Sequence, residues 1–165
     1  MSVDEVIAGV DRFGCRLVEL TGGEPLLQPE APALMERLLE RGYEVLLETG
    51  GHRSTEAVPP GVTIILDVKC PASGEAAKMC WSNLDRLRPS DEVKFVIQDR
   101  ADFDYACDVV RHRGLIERTA AVLFSPVHGA LQPAEMVQWI LASGLAVRLQ
   151  LQSHKYIWAP ETRGV

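Results

Sequence analysis

Residues 20–27 read LTGGEPLL and directly follow a short apolar run, Arg16–Leu20. Glycine reaches backbone conformations that other residues avoid, so the pair Gly22-Gly23 predicts a tight turn from the end of a strand into a helix. The missing side chains would also let backbone N–H and C=O groups approach a ligand. Taken alone, a double glycine is a weak signal for binding, and a plain strand-to-helix turn explains it as well.

Apolar runs of this kind recur along the chain, each bounded by turn residues. They are rich in Val, Ile and Leu and nearly continuous, which is typical of strands that are buried on both faces. The six predicted strands are Arg16–Leu20, Glu44–Leu47, Val62–Val68, Glu92–Ile97, Ala120–Phe124 and Ala146–Leu151.

Segments with helical spacing of apolar residues lie between most of these runs. Strand and helix therefore alternate, which predicts an α/β fold with a parallel sheet and outer helices, in a single domain over residues 1–165. The pattern leaves open whether the sheet is doubly wound or curled toward a barrel. Pro29 and Pro133 are placed in the first turn of their helices, where proline is tolerated. The predicted helices are Val3–Phe13, Pro29–Arg41, Phe103–Arg113 and Pro133–Ser143.

The composition limits the classes of function. The 165 residues are 47% hydrophobic, enough for a packed core, and 17 basic against 23 acidic residues give a net charge of −6. A nucleic-acid-binding surface normally carries a basic excess, so the charge argues against that partner. No apolar run approaches the roughly 20 residues that cross a bilayer, and the first residues lack the basic charge of a signal peptide. We therefore expect a cytoplasmic chain with no nucleic-acid and no membrane partner.

The four cysteines, Cys15, Cys70, Cys80 and Cys107, are widely spaced. No C-x-x-C or C-x-x-x-C pair occurs in the sequence, so zinc-ribbon, thioredoxin-like and local iron–sulfur patterns are absent from it. In a chain of this kind we expect buried or half-buried free thiols.

Charged side chains gather where the predicted strands end. In parallel α/β folds the ligand site lies at the carboxyl ends of the strands, which meet at one edge of the sheet. We therefore expect one rim to bring together Glu24, Glu48, Asp67, Lys69 and His154.

Each of these residues also has a plain structural explanation. The carboxylates fit solvated loops or helix caps, and His52 and His128 fit surface histidines, so their roles stay open. No Walker loop, G-x-G-x-x-G fingerprint or Ser–His–Asp order occurs in the sequence, which disfavours a doubly wound nucleotide-binding or reductase domain. No catalytic residue is identified in this segment.

The stretch LTGGEPLL resembles the G-G-E-P element of radical S-adenosylmethionine enzymes, which meets the amino group of the cofactor's methionine part. Five further segments resemble one family of that superfamily, the 7-carboxy-7-deazaguanine synthases. The resemblance runs in order from about Val3 to Val165, and the segments together are specific, whereas G-G-E-P alone places only the superfamily. The five are ETG at 48–50, DVKCP at 67–71 with Ser73-Gly74, DEVKFVI at 91–97, SPVHG at 125–129 and QLQSHKYIW at 150–158.

This resemblance implies a partial (βα) barrel of the radical S-adenosylmethionine type. It implies S-adenosylmethionine, a [4Fe-4S] cluster and Mg²⁺ as cofactors, a 6-carboxy-tetrahydropterin as substrate and a homodimer as the assembly. The implied reaction is a radical ring contraction with loss of ammonia, a carbon–nitrogen lyase step of queuosine or deazapurine biosynthesis. The cofactors supply the radical chemistry, and the protein supplies placement and exclusion of water.

The resemblance also implies roles for individual residues. Gly22, Gly23 and Glu24 would hold the methionine end of S-adenosylmethionine. The turn Lys69-Cys70-Pro71 and the pair Ser125-Pro126 would line its ribose and adenine side. The substrate contacts would be Thr21, Glu48, Gln152 and His154, and the tail near Trp158–Val165 would close the site.

The sequence departs from this family in one large feature. The family's cysteine triad and the Mg²⁺ ligand next to it belong to a loop that should precede Val3, and the four scattered cysteines do not substitute for them. We therefore expect an N-terminally truncated synthase that is inactive by itself. The alternative is a non-catalytic S-adenosylmethionine-binding or interaction module that kept the fold and lost the cluster.

Reading the gene upstream of Met1 tests the truncation directly. We expect an in-frame stretch that encodes a strand, a cysteine triad and an Asp-Thr-type metal contact. An immediate in-frame stop with no triad behind it would defeat this expectation and favour the non-catalytic module.

Anaerobic reconstitution with iron and sulfide tests the interpretation of the cysteines. Because three ligands to one cluster must converge, we expect the 165-residue chain to develop no stable absorbance near about 410 nm, where cysteine-bound clusters absorb. A clear cluster signal together with deoxyadenosine production would show that interpretation to be wrong.

Overall fold

Six parallel strands form one sheet, and their order in the sheet is their order along the chain. Connections between parallel strands are right-handed, so a sheet in chain order carries all of its crossovers on one face. The predicted α/β fold is confirmed, and the arrangement is a partial βα barrel that is not closed. In the computed structural model, which describes residues 1–160 and 162, the strands are β1 (Leu17–Leu20), β2 (Glu44–Thr49), β3 (Thr63–Asp67), β4 (Glu92–Ile97), β5 (Ala121–Pro126) and β6 (Arg148–Leu149).

Two of the described helices have side chains that cap their first turn, the first helix and the fourth. Ser2 and Glu5 form a capping box at the first helix, and Gly114 ends the fourth in the left-handed conformation. Short 3₁₀ turns at Pro25–Leu27, Pro71–Ser73 and Ala76–Lys78 lie in the connections. The helices are α1 (Val3–Asp11), α2 (Ala31–Glu40), α3 (Ser82–Arg86), α4 (Arg100–Arg113), α5 (Leu115–Arg118), α6 (Pro133–Ser143) and α7 (His154–Ile157).

Several predicted boundaries were wrong; β2 and β5, for example, each run two residues further than predicted. Helix α2 begins at Ala31, so Pro29 lies in the preceding turn. Helix α4 begins three residues earlier than its apolar spacing suggested, because the Asp99 side chain accepts a hydrogen bond from the N–H of Asp102 and caps it. Strand β6 keeps only two residues of the predicted Ala146–Leu151, which pair with Leu123 and Phe124 of β5.

The hydrophobic core lies between the sheet and the helices. Phe95 of β4 and Phe124 of β5 are fully buried there. The ring of Phe124 meets those of Phe95 and Phe103 edge to face, with centroids 5.6 and 5.5 Å apart. A second cluster, around Met35, Leu38 and Leu47, packs α1 and α2 against the first two strands.

The other face of the sheet is only half-buried, which the sequence did not predict. Along β2 and β4 the buried residues alternate with exposed or half-buried ones, and only β5 is buried along its whole length. The helices cover a single face, so the second face lines the open interior of the partial barrel. Continuous apolar runs therefore overstated the burial of four of the six strands, while β6 is exposed at both of its residues.

Within the described residues, no helix is long and apolar enough to cross a membrane.

Replacing Phe124 by Ala is expected to lower the free energy of unfolding by about 3–5 kcal/mol, because it leaves a cavity in the centre of the aromatic cluster. Urea denaturation measures this change. The control is Phe13→Ala, since Phe13 is 85% exposed and its loss should change stability by less than about 0.5 kcal/mol. Equal effects of the two substitutions would contradict the assignment of the core.

Candidate functional site

The carboxyl ends of the strands meet at one edge of the sheet. Register places Leu20 beside Leu47, Thr49 beside Leu66, and Ile97 beside Pro126, so the loops that follow β1 to β5 leave from the same rim. The sequence-predicted residues at strand ends are therefore neighbours in space.

The double glycine forms the turn after β1. Gly22 and Gly23 have φ values of 84° and 51°, a conformation that favours glycine. A Cβ built at either position would meet no atom within 4 Å, so both sides of the turn are open. Thr21, Gly22 and Gly23 are exposed and line a groove of about 590 Å³. The backbone of this turn is accessible to a ligand.

The Glu24 carboxylate is turned toward the end of β2, and its side chain is only 9% exposed. It accepts hydrogen bonds from the hydroxyl of Thr49, at 2.8 and 2.9 Å to its two oxygens, and from the N–H of Gly50 at 3.0 Å. A further bond, from the N–H of Leu26 at 3.1 Å, caps the following 3₁₀ turn. Glu24 thus links the first two loops of the rim.

A second cavity, of about 260 Å³, lies farther along the rim. Lys94 Nζ lies 2.7 Å from Glu48 Oε1, and Lys69 Nζ lies 2.6 Å from Asp67 Oδ2. These two ion pairs and Gln152 line the cavity, together with Cys70. The structure therefore brings four of the predicted site residues, Glu48, Lys69, Cys70 and Gln152, around one polar space.

Asp67, which was expected at the rim, lines this cavity, and so does Lys94, which the sequence analysis did not place there. Lys94 alternates with the buried residues Val93 and Phe95 on β4, which puts its side chain on the half-buried face beside Glu48. The sequence signal for Lys94 was a charged residue between two apolar ones in a predicted strand. Because side chains alternate along a strand, Lys94 lies on the face that points away from the helices.

Three buried oxygen atoms near the carboxyl ends of the strands have no hydrogen-bond partner among the described residues: Asp67 Oδ1, Ser125 Oγ and Gln150 Oε1. Buried polar atoms are nearly always satisfied in folded proteins, so unpaired ones at a strand end are suited to a polar ligand. Ser125 is fully buried near the end of β5, followed by the buried Pro126. The 3₁₀ turn that starts at the exposed Pro71 lies in the loop after β3.

The histidines lie apart from this cavity. His154 is exposed in α7 and lines neither space, and the His128 ring stacks edge to face on that of Tyr156, at 5.2 Å between centroids. His52 Nδ1 lies 3.7 Å from Glu24, and its Nε2 lies 3.6 Å from Glu75. Of the predicted tail Trp158–Val165, Glu161 and residues 163–165 lie outside the described residues.

The cysteines do not fit a [4Fe-4S] cluster. Cys70 and Cys107 are buried, Cys80 is half-buried and Cys15 is exposed, which corrects the expectation for Cys15. Burial raises the pKa of the Cys70 thiol far above its usual value, whereas clusters are held by thiolates. The part of the chain that the structure describes contains no group of three His, Cys, Asp or Glu side chains placed to hold a metal ion.

Comparison with known proteins gives the family. No family model matches the chain. It is 48% identical to a 7-carboxy-7-deazaguanine synthase of Koribacter versatilis over 179 residues, which cover 100% of this chain and 79% of that protein. The 7-carboxy-7-deazaguanine synthase of Chlorobaculum tepidum is 39% identical, and the match covers 100% of this chain and 76% of that protein. The 7-carboxy-7-deazaguanine synthase of Methanospirillum hungatei is 37% identical, and the match covers 97% of this chain and 66% of that protein. With matches of this identity along its whole length, the chain belongs to the 7-carboxy-7-deazaguanine synthase family.

Proposed function

We propose that this chain forms the cofactor- and substrate-binding wall of a radical S-adenosylmethionine enzyme that converts 6-carboxy-tetrahydropterin into 7-carboxy-7-deazaguanine with loss of ammonia. The observation that carries the proposal is the open Gly22-Gly23 turn at the same sheet edge as the cavity lined by Glu48, Asp67 and Lys94. The names of the relatives support the reaction.

The methionine end of S-adenosylmethionine is assigned to the first loop. The φ values of Gly22 and Gly23 leave their backbone groups uncovered, so N–H and C=O can approach an amino acid head group without a side chain intervening. The Glu24 carboxylate already accepts hydrogen bonds from Thr49 and Gly50, so it holds this turn in place. Its negative charge would also attract the ammonium group of the cofactor. When bound, this cofactor supplies the radical that starts the ring contraction.

The ribose and adenine end is assigned to the loops after β3 and β5. Ser125 Oγ and Asp67 Oδ1, two of the unpaired buried oxygens, can form hydrogen bonds with ribose hydroxyls. The turn Lys69-Cys70-Pro71 would pack beside the base. The protonated Cys70 thiol would act there as a small apolar group, since burial raises its pKa.

The pterin is assigned to the cavity around the Glu48–Lys94 pair. Carboxylate and amide oxygens accept hydrogen bonds from amino and ring N–H groups, which a pterin presents along one edge, so Glu48 and Gln152 suit that edge. Lys94, at 2.7 Å from Glu48, fixes the direction of this carboxylate. Thr21 faces the neighbouring groove, and His154 would reach the substrate only if α7 moved inward.

The residues that the structure describes supply no step through an iron–sulfur cluster, because their cysteines do not converge on one site. We therefore propose that the chain does not turn over the substrate by itself, and that its working assembly is a homodimer. The second candidate is a non-catalytic S-adenosylmethionine-binding or interaction module. The observation that favours this second candidate is that the cysteines are dispersed, whereas Glu48, Lys69 and Gln152 line one cavity.

Substituting Gly23 by Ala tests the cofactor assignment. With φ at 51°, alanine is strained there, and its methyl group would stand in the turn that meets the ligand. We expect calorimetric titration to give an affinity for S-adenosylmethionine at least about tenfold weaker than that of the unaltered chain, a difference of 1.4 kcal/mol.

The matched control for this test is Gly144→Ala. Gly144 also has positive φ, at 66°, and open space around it, but it caps α6 away from the groove. It should retain the affinity while losing similar thermal stability. Equal affinity of both variants, or no binding by the unaltered chain, would contradict the assignment.

A further inference from the structure

The hydroxyl of Thr49 lies at a crossing of two loops. Thr49 ends β2 and is 1% exposed, and its Oγ1 lies 2.8 and 2.9 Å from the two Glu24 oxygens. The N–H of Gly51 donates to the same Oγ1, at 3.2 Å. A hydroxyl has one proton to give. With the Gly51 N–H on one of its lone pairs, that proton is directed to Glu24.

The carboxylate of Glu24 in turn collects donors from both loops. Besides Thr49, it accepts from the N–H of Leu26 in its own loop and from the N–H of Gly50 in the loop after β2. Hydrogen bonds to a carboxylate are stronger than those between neutral groups, and at 9% exposure water competes little for it. Thr49 is the only side-chain hydroxyl among these donors in the part of the chain that the structure describes.

The Gly22-Gly23 turn has little else to hold it. Apart from the adjoining residues of the turn, no atom of the described chain lies within 4 Å of a Cβ built at either position, and both residues are exposed. Glycine loses more conformational freedom on ordering than any other residue, so such a turn stays in one shape only if its ends are fixed. Strand β1 fixes one end, and Glu24 fixes the other.

We propose that Thr49 is a positioning residue, which sets the conformation of the Gly22-Gly23 turn through the Glu24 carboxylate without touching a ligand. The identity of the ligand that this turn receives, S-adenosylmethionine, rests on the proposed function, whereas the ordering of the turn does not. The buried network of Thr49 and Gly50 then determines how tightly the groove beside the turn binds.

Amide hydrogen exchange of the unliganded chain tests the ordering. In Thr49→Val, which keeps the shape and loses the hydroxyl, we expect the hydrogen-bonded amides within residues 21–28, those of Leu26, Leu27 and Gln28, to exchange at least about tenfold faster, as the loss of a hydrogen bond to a charged group implies. Peptides of β4, residues 92–97, should keep their rate and thus report that the fold is intact. Thr49→Ser, which keeps the hydroxyl, should restore slow exchange in 21–28.

Three results would overturn the proposal. One is unchanged exchange of residues 21–28 in Thr49→Val. Another is an equal acceleration in 92–97, which would make Thr49 a residue of general stability. The third is a Thr49→Ser variant that behaves like Thr49→Val, which would assign the effect to the methyl group. If Thr49→Val does not fold, Glu24→Gln applies the same test, since it weakens the same bonds and should loosen residues 21–28 and 49–52 but not 92–97.

Titration of the same variants with S-adenosylmethionine separates the two proposals. If the turn loosens and the affinity falls at least about tenfold in Thr49→Val but not in Thr49→Ser, both are supported. A second outcome is that the turn loosens in Thr49→Val but neither the variants nor the unaltered chain bind S-adenosylmethionine. In that case the positioning role of Thr49 stands and the proposed function fails.

Discussion

A sheet whose parallel strands follow one another in chain order can carry helices on one face only. The apolar residues of alternate positions, such as Leu47, Phe95 and Phe124, are buried under those helices. The remaining positions face an interior that no helix covers. The polar side chains at these positions are therefore accessible to a ligand. The placement of the helices on one face thus determines both where the core lies and where a binding site can form.

The uncovered face accumulates acidic side chains, and their electrostatic cost is visible. Partial burial, together with the nearby Glu48 and Glu92, raises the pKa of Glu19. Lys94 acts against this by lowering it, and the same lysine pairs with Glu48. A polar ligand with N–H donors would relieve the crowding of carboxylates, whereas an apolar one would not.

The loops at the rim are fixed by carboxylates that accept hydrogen bonds from backbone N–H groups. Glu24 joins the loops after β1 and β2, and Asp102, which is 2% exposed, accepts from the N–H of Ala72 at 3.0 Å and of Gln98 at 3.1 Å. Asp102 thereby joins the loops after β3 and β4. These hydrogen bonds hold neighbouring loops of the open barrel in fixed positions. They are strong because each acceptor is a buried, charged carboxylate.

The sequence was sufficient for the strands, the parallel order and most of the rim, because hydrophobic runs and strand-end residues are local signals. Glu48 and Lys69 were found this way, Gln152 was implied by the family resemblance, and all three line one cavity. Burial on both faces was wrongly predicted, because a continuous apolar run does not reveal that only one face is covered. The hydrogen bond between Thr49 and Glu24 could not be predicted from the sequence. The two residues are 25 positions apart, and their contact depends on the register of β1 and β2.

The positions of the cysteines explain why this wall and the iron–sulfur chemistry of the proposed reaction are separable. Cys15 stands before β1, at the amino ends of the strands, whereas Cys70 follows β3 at the carboxyl ends. The sheet separates the two, so they cannot share a cluster without refolding. Burial raises the pKa of Cys70 and also that of Cys107, which keeps both thiols protonated and poor ligands. In the proposed reaction, cluster binding and ligand placement would therefore depend on different residues, and those of the described chain suit ligand placement.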